Sequence, residues 1–310
     1  MKTMQPNLKA KGRFSRIKRN WELYLFMLPA IVYIAIFHYG PLSGVQIAFR
    51  DFNPAFEISQ SRWVGFLHFQ NFFNGFYFKR LIINTLLLST YSIVLGFPIP
   101  ILVALMLNEI RSAKYKKLVQ TVLYAPHFIS TVVMVGIIQT MLSPSIGVIN
   151  HLLETLGFER QYFMIQPGAF RTVYVLSGIW QNMGWNAVIY LAALSAVDPE
   201  LHEAATIDGA SRLKRVRYIN IPTILPTIII MLIMRIGNLA SIGYEKIYLL
   251  QNDLNLETAE VISTYVYRRG LGGGQYSFST AVGLFNNVIN VVLLIFANTI
   301  ARNTGETSLF

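Results

Sequence analysis

Cysteine is absent from the 310 residues, and charged residues make up only 13% of them. Without thiols there is no disulfide framework, no thiolate nucleophile and no cysteine-ligated metal site. A soluble domain carries about 25% charged residues, so the low charge disfavours a water-soluble core. Hydrophobic residues supply 54% of the chain, and several apolar runs reach the ~20 residues that a helix needs to cross a bilayer. We therefore predict an all-α integral membrane protein.

Sequence signatures of several enzyme classes are missing as well. No Gly-x-x-x-x-Gly-Lys-Ser/Thr occurs, so the chain has no phosphate-binding loop of this type for ATP. The five histidines show no zinc spacing, and we interpret His127 as a structural residue beside Pro126. No Gly-x-Ser-x-Gly elbow and no paired carboxylates occur within the apolar runs. These absences disfavour an integral-membrane enzyme and predict that the chain itself binds no cofactor or metal.

The apolar runs predict about six membrane spans. They cover residues 21–37, 81–107, 118–142, 173–197, 221–242 and 278–300. A basic segment, residues 1–20, precedes a single membrane domain, residues 21–310, and a short helix is expected at 148–156 in the outer loop after the third span.

The formal charge of +11 raises the question of a nucleic-acid partner. The cations lie at the ends of the apolar runs, so membrane lipid is the expected neighbour and nucleic acid is not. Sixteen of the 26 Lys and Arg residues fall in segments predicted to be cytoplasmic and nine in outer segments, while Arg235 lies within a span. This bias predicts that both termini are cytoplasmic.

A charged loop, residues 198–220, lies between the fourth and fifth predicted spans and must therefore stand in water. Asp198 is a good N-cap and Pro199 fits the first helical position, so a short helix is expected to begin here. Gly209 can adopt the positive φ that ends a helix. Ser211 can cap a second helix, whose first residues are basic.

The residues of this loop resemble a known family. Glu203-Ala204-Ala205, Asp208-Gly209-Ala210 and Ile221-Pro222 are similar to the EAA loop of permease subunits of binding-protein-dependent ABC importers. Two outer-loop runs, Asp51-Phe52-Asn53-Pro54 and Trp63-Val64-Gly65, resemble the polysaccharide branch of the carbohydrate-uptake class.

The resemblance implies a type I ABC importer permease fold in a bacterial plasma (inner) membrane. It implies a cytoplasmic coupling helix that docks on an ATPase, with Glu203 making a charged contact and Gly209 forming the turn. The implied partners are a second homologous permease subunit, two cytoplasmic ABC ATPase subunits that hold ATP and Mg, and an extracytoplasmic solute-binding protein. The implied cargo is a sugar, either an oligosaccharide or an acidic polysaccharide fragment. The implied coupling residues are Glu203, Ala204, Ala205, Asp208, Gly209 and Ala210.

Polar and aromatic residues within the spans are candidates for the substrate path. Aromatic faces stack on sugar rings and amides bond to hydroxyls, but the same amides also serve packing between membrane helices. For Arg235 we favour a buried structural arginine over a contact to an acidic cargo or a gating partner. The candidates are Trp180, Gln181, Asn182, Trp185, Asn186, Arg235, Asn238, Asn286, Asn287 and Asn290.

Two other classes remain as alternatives. An ion-coupled secondary transporter usually shows acidic residues at the membrane midplane, and the predicted spans lack them. An integral-membrane transferase would need a catalytic cluster on one side of the membrane.

Overall fold

The computed structural model describes residues 20–310, so the basic segment predicted at 1–20 lies almost wholly outside the described residues. Helices dominate the described part, and one two-stranded antiparallel ribbon, β1 Arg50–Asp51 with β2 Arg62–Trp63, lies beside them. The α-helices are α1 Trp21–Ile34, α2 Leu67–Phe73, α3 Phe78–Gly96, α4 Pro98–Asn108, α5 Ala113–Tyr124, α6 Thr131–Met141, α7 Val148–Thr155, α8 Pro167–Leu194, α9 Pro199–Ile207, α10 Arg212–Arg215, α11 Ile221–Gly237, α12 Tyr244–Leu250, α13 Leu256–Ala259, α14 Ile262–Tyr267 and α15 Tyr276–Asn303.

Four continuous helices among the described residues are long and apolar enough to cross a membrane. They are Trp21–Phe49, Phe78–Asn108, Arg212–Gly237 and Tyr276–Asn303. The bent pair Ala113–Phe128 and Thr131–Met141 makes five if it is counted as one span. Helix α8 has 28 residues but is not among these four. The count of six spans therefore stays a prediction, while the helical, multi-pass character of the chain is confirmed.

The predicted end of the first span at residue 37 is wrong. The helix continues through a π-helical turn, Ala35–Tyr39, and a 3₁₀ helix, Gly40–Phe49. Pro41 lies in the first turn of that 3₁₀ helix, where its missing N–H removes no helical hydrogen bond. The loop after this helix consequently begins near Arg50 rather than after residue 37.

The predicted third span, residues 118–142, is not one straight helix. A 3₁₀ turn, Ala125–Phe128, separates α5 from α6, and the two segments are bent by 101°. Pro126 stands in that turn, and the Ser130 side chain accepts a bond of 3.4 Å from Val133 N, which starts a new helix. A proline break followed by an N-cap accounts for the bend.

The fourth and fifth spans are displaced from their predicted bounds of 173–197 and 221–242. Helix α8 covers Pro167–Leu194, because Pro167 starts the helix earlier. The fifth helix begins at Arg212, runs through a π-helical turn and ends at Gly237. Asn238 ends it by donating from its side chain to the Met234 carbonyl at 2.9 Å. The basic residues at 212–217 are therefore the first turns of the membrane helix itself.

The second and sixth spans lie within three residues of their predicted bounds, 81–107 and 278–300, since the helices cover Phe78–Asn108 and Tyr276–Asn303. The short helix predicted at 148–156 is confirmed as α7.

Helix α8 lies at the centre of the packing. It contacts α3, α4, α5 and α11. Two buried apolar clusters form around it, one containing Leu88, Met134 and Val175 and the other containing Ala187, Tyr190 and Ile224. Helix α1, by contrast, buries no residue against the rest of the described chain.

A network of charges and amides joins α3 to the segment that follows α12. Glu260 is only 1% exposed and forms ion pairs with Arg80 and Arg268. The Asn84 side chain donates to the carbonyls of Glu257 and Glu260 and accepts a bond of 2.8 Å from Arg171. Three of the nine Lys and Arg residues in the predicted outer segments, Arg80, Arg171 and Arg268, therefore take part in one network.

Candidate functional site

The loop between α8 and the fifth membrane helix forms the short helix that its sequence predicts. Asp198 accepts a bond of 2.9 Å from Glu200 N, and Pro199 occupies the first helical position. The capping oxygen satisfies one of the N–H groups that lack a partner at a helix start. Ser211 caps the following helix by accepting from Lys214 N at 3.4 Å.

Gly209 ends α9 in a left-handed conformation, with φ of +74°. Ala210 N donates to the Ala205 carbonyl at 2.8 Å, and Gly209 N donates to the Thr206 carbonyl at 3.1 Å. This pair of bonds is the Schellman motif, which reverses the chain immediately after a helix. No other residue lies within 4 Å of where a Gly209 side chain would begin. Backbone conformation, rather than crowding, therefore calls for glycine here.

The surface of α9 is open to a partner. Glu203, Ala204 and Asp208 are exposed, and Ile207 is 87% exposed. A groove of 500 Å³ lies between α9 and the turn after α4. Its lining combines charged and apolar residues: Asn108, Glu109, Ile110, Arg111, His202, Glu203, Thr206, Ile207, Arg212 and Arg215.

A second cavity, of 420 Å³, lies among α3, α8, α11 and the chain that leads into α12. Five of the ten substrate-path candidates line it: Gln181, Asn182, Asn186, Arg235 and Asn238. Asn182 and Asn186 share the face of α8 that their four-residue spacing indicates. Their role as path residues stays a prediction.

The tryptophans of α8 lie elsewhere. Trp180 is 40% exposed and does not line the cavity. Trp185 stacks on His127, with ring centroids 4.7 Å apart and planes 5° from parallel. His127 Nδ1 lies 2.9 Å from Asn182 Oδ1, and Asn182 Nδ2 donates to the Gly178 carbonyl at 3.0 Å. This orientation makes His127 Nδ1 the donor to Asn182, and the bond and the stacking give His127 a structural role beside Pro126.

Gln181 stabilises the break in the third span. Its Nε2 donates to the Ile129 carbonyl at 3.2 Å, immediately before the Ser130 cap. A carbonyl freed by a proline break needs such a partner at membrane depth. Gln181 and Asn182 therefore hold the bent segment in addition to lining the cavity.

The three candidate asparagines of α15, Asn286, Asn287 and Asn290, also lie outside the cavity lining. Asn286 and Asn290 both donate to Ser241 Oγ, at 3.3 and 2.5 Å, and Asn290 Oδ1 accepts from Ala240 N at 2.9 Å. These bonds fasten the turn after α11 to α15. Asn287 is exposed.

Arg235 is not the buried structural arginine that we favoured from the sequence. It is exposed on the cavity and forms no ion pair with any described residue. The guanidinium is therefore available to a ligand in the cavity.

Lys246 is the cavity residue that sequence reasoning missed. The predicted span bounds leave it in the loop between the fifth and sixth spans, but it lies on α12, next to buried Ile247, and lines the cavity. Its Nζ lies 5.4 Å from the centre of the Tyr174 ring. Burial lowers the pKa of Lys246 to about 8. The signal in the sequence is a lone lysine among the apolar residues of Tyr244–Leu250.

The family model described as "Binding-protein-dependent transport system inner membrane component" matches residues 79–305, most of the chain. This chain belongs to that permease family. The permease is 44% identical over 302 residues to the polygalacturonan/rhamnogalacturonan transport system permease protein YteP of Bacillus subtilis (strain 168). The aligned residues cover 97% of this chain and 94% of the relative.

Two solved structures are also similar to the permease. One is a bacterial ABC transporter involved in the import of the acidic polysaccharide alginate, with a TM-score of 0.85, 45% identity and coverage of 94% of this chain and 98% of that one. The other is a bacterial alginate ABC transporter in complex with a periplasmic protein that holds an alginate pentasaccharide. It has a TM-score of 0.87 and 44% identity over 96% of this chain and 99% of that one.

These similarities confirm the predicted type I permease fold and the predicted class of protein. The permease is a multi-pass membrane subunit of a binding-protein-dependent ABC importer, and ATP hydrolysis belongs to a separate partner subunit. The alternatives of an ion-coupled secondary transporter and a membrane transferase are therefore not retained.

Proposed function

We propose that the permease forms half of the translocation path of an importer for acidic oligosaccharides. A second homologous permease subunit forms the other half, and two cytoplasmic ATPase subunits, which hold ATP and Mg, dock beneath them. The observation that carries the proposal is the chemistry of the 420 Å³ cavity. It presents Arg235, Lys246 and several amides, and none of its lining residues in the described part of the chain is acidic.

The two kinds of polar side chain suit the two kinds of group on an acidic sugar. Amides donate to and accept from hydroxyls, whereas ammonium and guanidinium groups form charge-assisted bonds with carboxylates. A neutral sugar would leave the cations without a counter-charge in a partly desolvated cavity, which costs free energy. The relatives that import acidic polysaccharide support the same cargo class.

Helix α9 is the proposed link to ATP hydrolysis. Its exposed Glu203 and Ile207 would sit in a groove on the ATPase, and the Gly209 turn would set the angle of the helix. Closure of the two ATPases would draw the two coupling helices together and open the path outward as rigid bodies. This arrangement places both termini and the 198–220 loop on the cytoplasmic side.

The cargo class is tested on the complex purified through a tag on this permease, with its own binding protein and reconstituted in vesicles. Trigalacturonate and its methyl ester have the same sugar skeleton and differ in charge. We expect ATP-dependent uptake of trigalacturonate at a rate at least tenfold above that of the ester. Equal uptake of the two would overturn the acidic-cargo proposal.

A further inference from the structure

We infer that Lys246 forms a carboxylate-binding site in the cavity, in which its Nζ binds the charged group of one sugar unit as the cargo passes. This inference rests on the proposed acidic cargo and assigns its recognition to a particular atom. Lys246 differs in this from three other cations of the predicted outer segments, which form ion pairs or hydrogen bonds with Glu260 and Asn84.

The geometry around the ammonium leaves its donors free. Nζ is fully shielded from solvent, and no described residue offers it a hydrogen-bond acceptor. The Tyr174 ring covers one side, with the Nζ atom 5.4 Å from its centre. The backbone of α8 covers another, since a side chain added at Gly178 would begin 3.7 Å from Nζ. The ring stabilises the cation without using its N–H donors.

A buried ammonium that lacks an acceptor is costly, and such groups in folded proteins are commonly part of a site. An anionic partner from the protein itself is missing, because the described residues that line the cavity include no Asp or Glu. A carboxylate that enters the cavity would accept from Nζ and offset the charge in one step. Neutral hydroxyls would satisfy the donors but leave the charge unbalanced.

Lys246 also occupies a distinct place along the chain. Helix α12 follows the end of the Arg212–Gly237 helix that lies opposite the coupling loop. Arg235 projects from the last turn of that same membrane helix and lines the same cavity. The cavity thus holds one cation on each of two adjoining elements, which suits a cargo that carries a carboxylate on each sugar unit.

The test uses the reconstituted complex and three variants. Lys246→Met removes the charge at similar length, Lys246→Arg retains it, and Lys79→Met removes an exposed lysine at the start of α3. We expect Lys246→Met to raise KM for trigalacturonate about tenfold, which corresponds to ~1.4 kcal/mol. Lys246→Arg should raise KM less, and Lys79→Met should leave both KM and basal ATPase activity unchanged.

A second measurement detects binding at Lys246 without measuring transport. Acetic anhydride labels free amines, and mass spectrometry quantifies the product at Lys246. Because Nζ is shielded, Lys246 should be labelled more slowly than exposed Lys79 in the sugar-free complex. Trigalacturonate should lower the labelling rate of Lys246 further, whereas its methyl ester should not, and Lys79 should be labelled equally with either. Protection by anionic phosphatidylglycerol vesicles without sugar would assign Lys246 to lipid phosphate and overturn the inference.

The two proposals fail in distinguishable ways. If the wild-type complex does not prefer trigalacturonate over its ester, the acidic-cargo proposal fails. If the wild type shows that preference but Lys246→Met keeps the wild-type KM, the cargo proposal stands and the Lys246 site is refuted.

Discussion

At the scale of single residues, the pKa of Lys246 makes the binding of a carboxylate in the cavity depend on pH. Burial lowers it to about 8, so the amine is charged below pH 8 and neutral above it. Arg235 and Tyr174 face the same cavity, Glu245 neighbours Lys246 on α12, and Tyr265 and Tyr267 lie on α14, which packs against α12.

We expect KM for trigalacturonate to rise about tenfold between pH 7 and pH 9, because binding a carboxylate to the neutral amine requires uptake of a proton. Uptake by reconstituted complexes checks this, with Lys246→Arg as the control that stays charged over the range. A rise of the same size in Lys246→Arg would assign the pH dependence to another group.

The residue scale also shows where sequence reasoning stops. The amides of α8 could be recognised as polar groups in a span, but their partners could not. Gln181 bonds to Ile129 and Asn182 to His127, and both pairs are separated by more than 50 positions. Only the bend in the third span brings them together, and Pro126 indicates a bend without giving its angle.

At the scale of elements, the Schellman turn at Gly209 predicts that the coupling of transport to ATP hydrolysis depends on which residue replaces this glycine. With φ of +74° and open space around it, the position tolerates a side chain only through backbone strain of about 1–2 kcal/mol. We expect Gly209→Val to lower the ratio of sugar imported to ATP hydrolysed several-fold. Gly209→Asn should lower it less, because Asn adopts this conformation more readily.

Gly209→Asp and Glu203→Lys test the coupling role directly. Both should uncouple ATPase activity from transport while membrane insertion, followed by the yield of purified complex, stays normal. Wild-type coupling in both variants would refute the assignment of α9 as the coupling helix.

The crossing of α5 and α8 depends on the absence of a side chain at Gly184. A Cβ there would lie 2.2 Å from the Leu123 carbonyl oxygen, whereas one at Gly168 of the same helix would meet nothing within 4 Å. Small residues allow membrane helices to approach closely. We expect Gly184→Ala to lower the Tm of the detergent-solubilised protein by several degrees.

Gly168→Ala is the matched control for that variant. Gly168 is the second residue of α8, where its Cβ position is open. Alanine has the higher helix propensity, so Gly168→Ala should leave the Tm unchanged or raise it slightly. Equal Tm values for the two alanine variants would show that the contact between α5 and α8 relaxes without cost.

At the scale of the whole molecule, the network around Glu260 ties the segment after α12 to the membrane helices. Glu260→Gln leaves Arg80 and Arg268 without their counter-charge. We expect a loss of about 3 kcal/mol in the free energy of unfolding, the low end of the range for breaking a buried ion pair, because both arginines are partly exposed.

Thermal unfolding in detergent checks this loss, with Glu159→Gln as a control at an exposed glutamate in the loop after α7. An equal Tm for the two variants would mean that solvent replaces the ion pairs at no cost.

The architecture was largely predictable because hydropathy, proline, glycine and capping residues act locally. They located helix α9, its Gly209 turn and short helix α7. They failed where distant contacts decide the outcome. Helix Trp21–Phe49 passes through Pro41, and the Arg212–Gly237 helix starts with residues whose charge indicated a loop. The place of Lys246 in the cavity could not be predicted either, because its burial depends on contact with α8, which is distant in the sequence.

The bond from Gln181 to the Ile129 carbonyl constrains how the permease can move. Separating the two would leave a bare backbone acceptor in a region short of water, which is unfavourable. The bent segment of the third span and the middle of α8 should therefore move as one rigid body throughout the transport cycle, and any hinge should lie outside them.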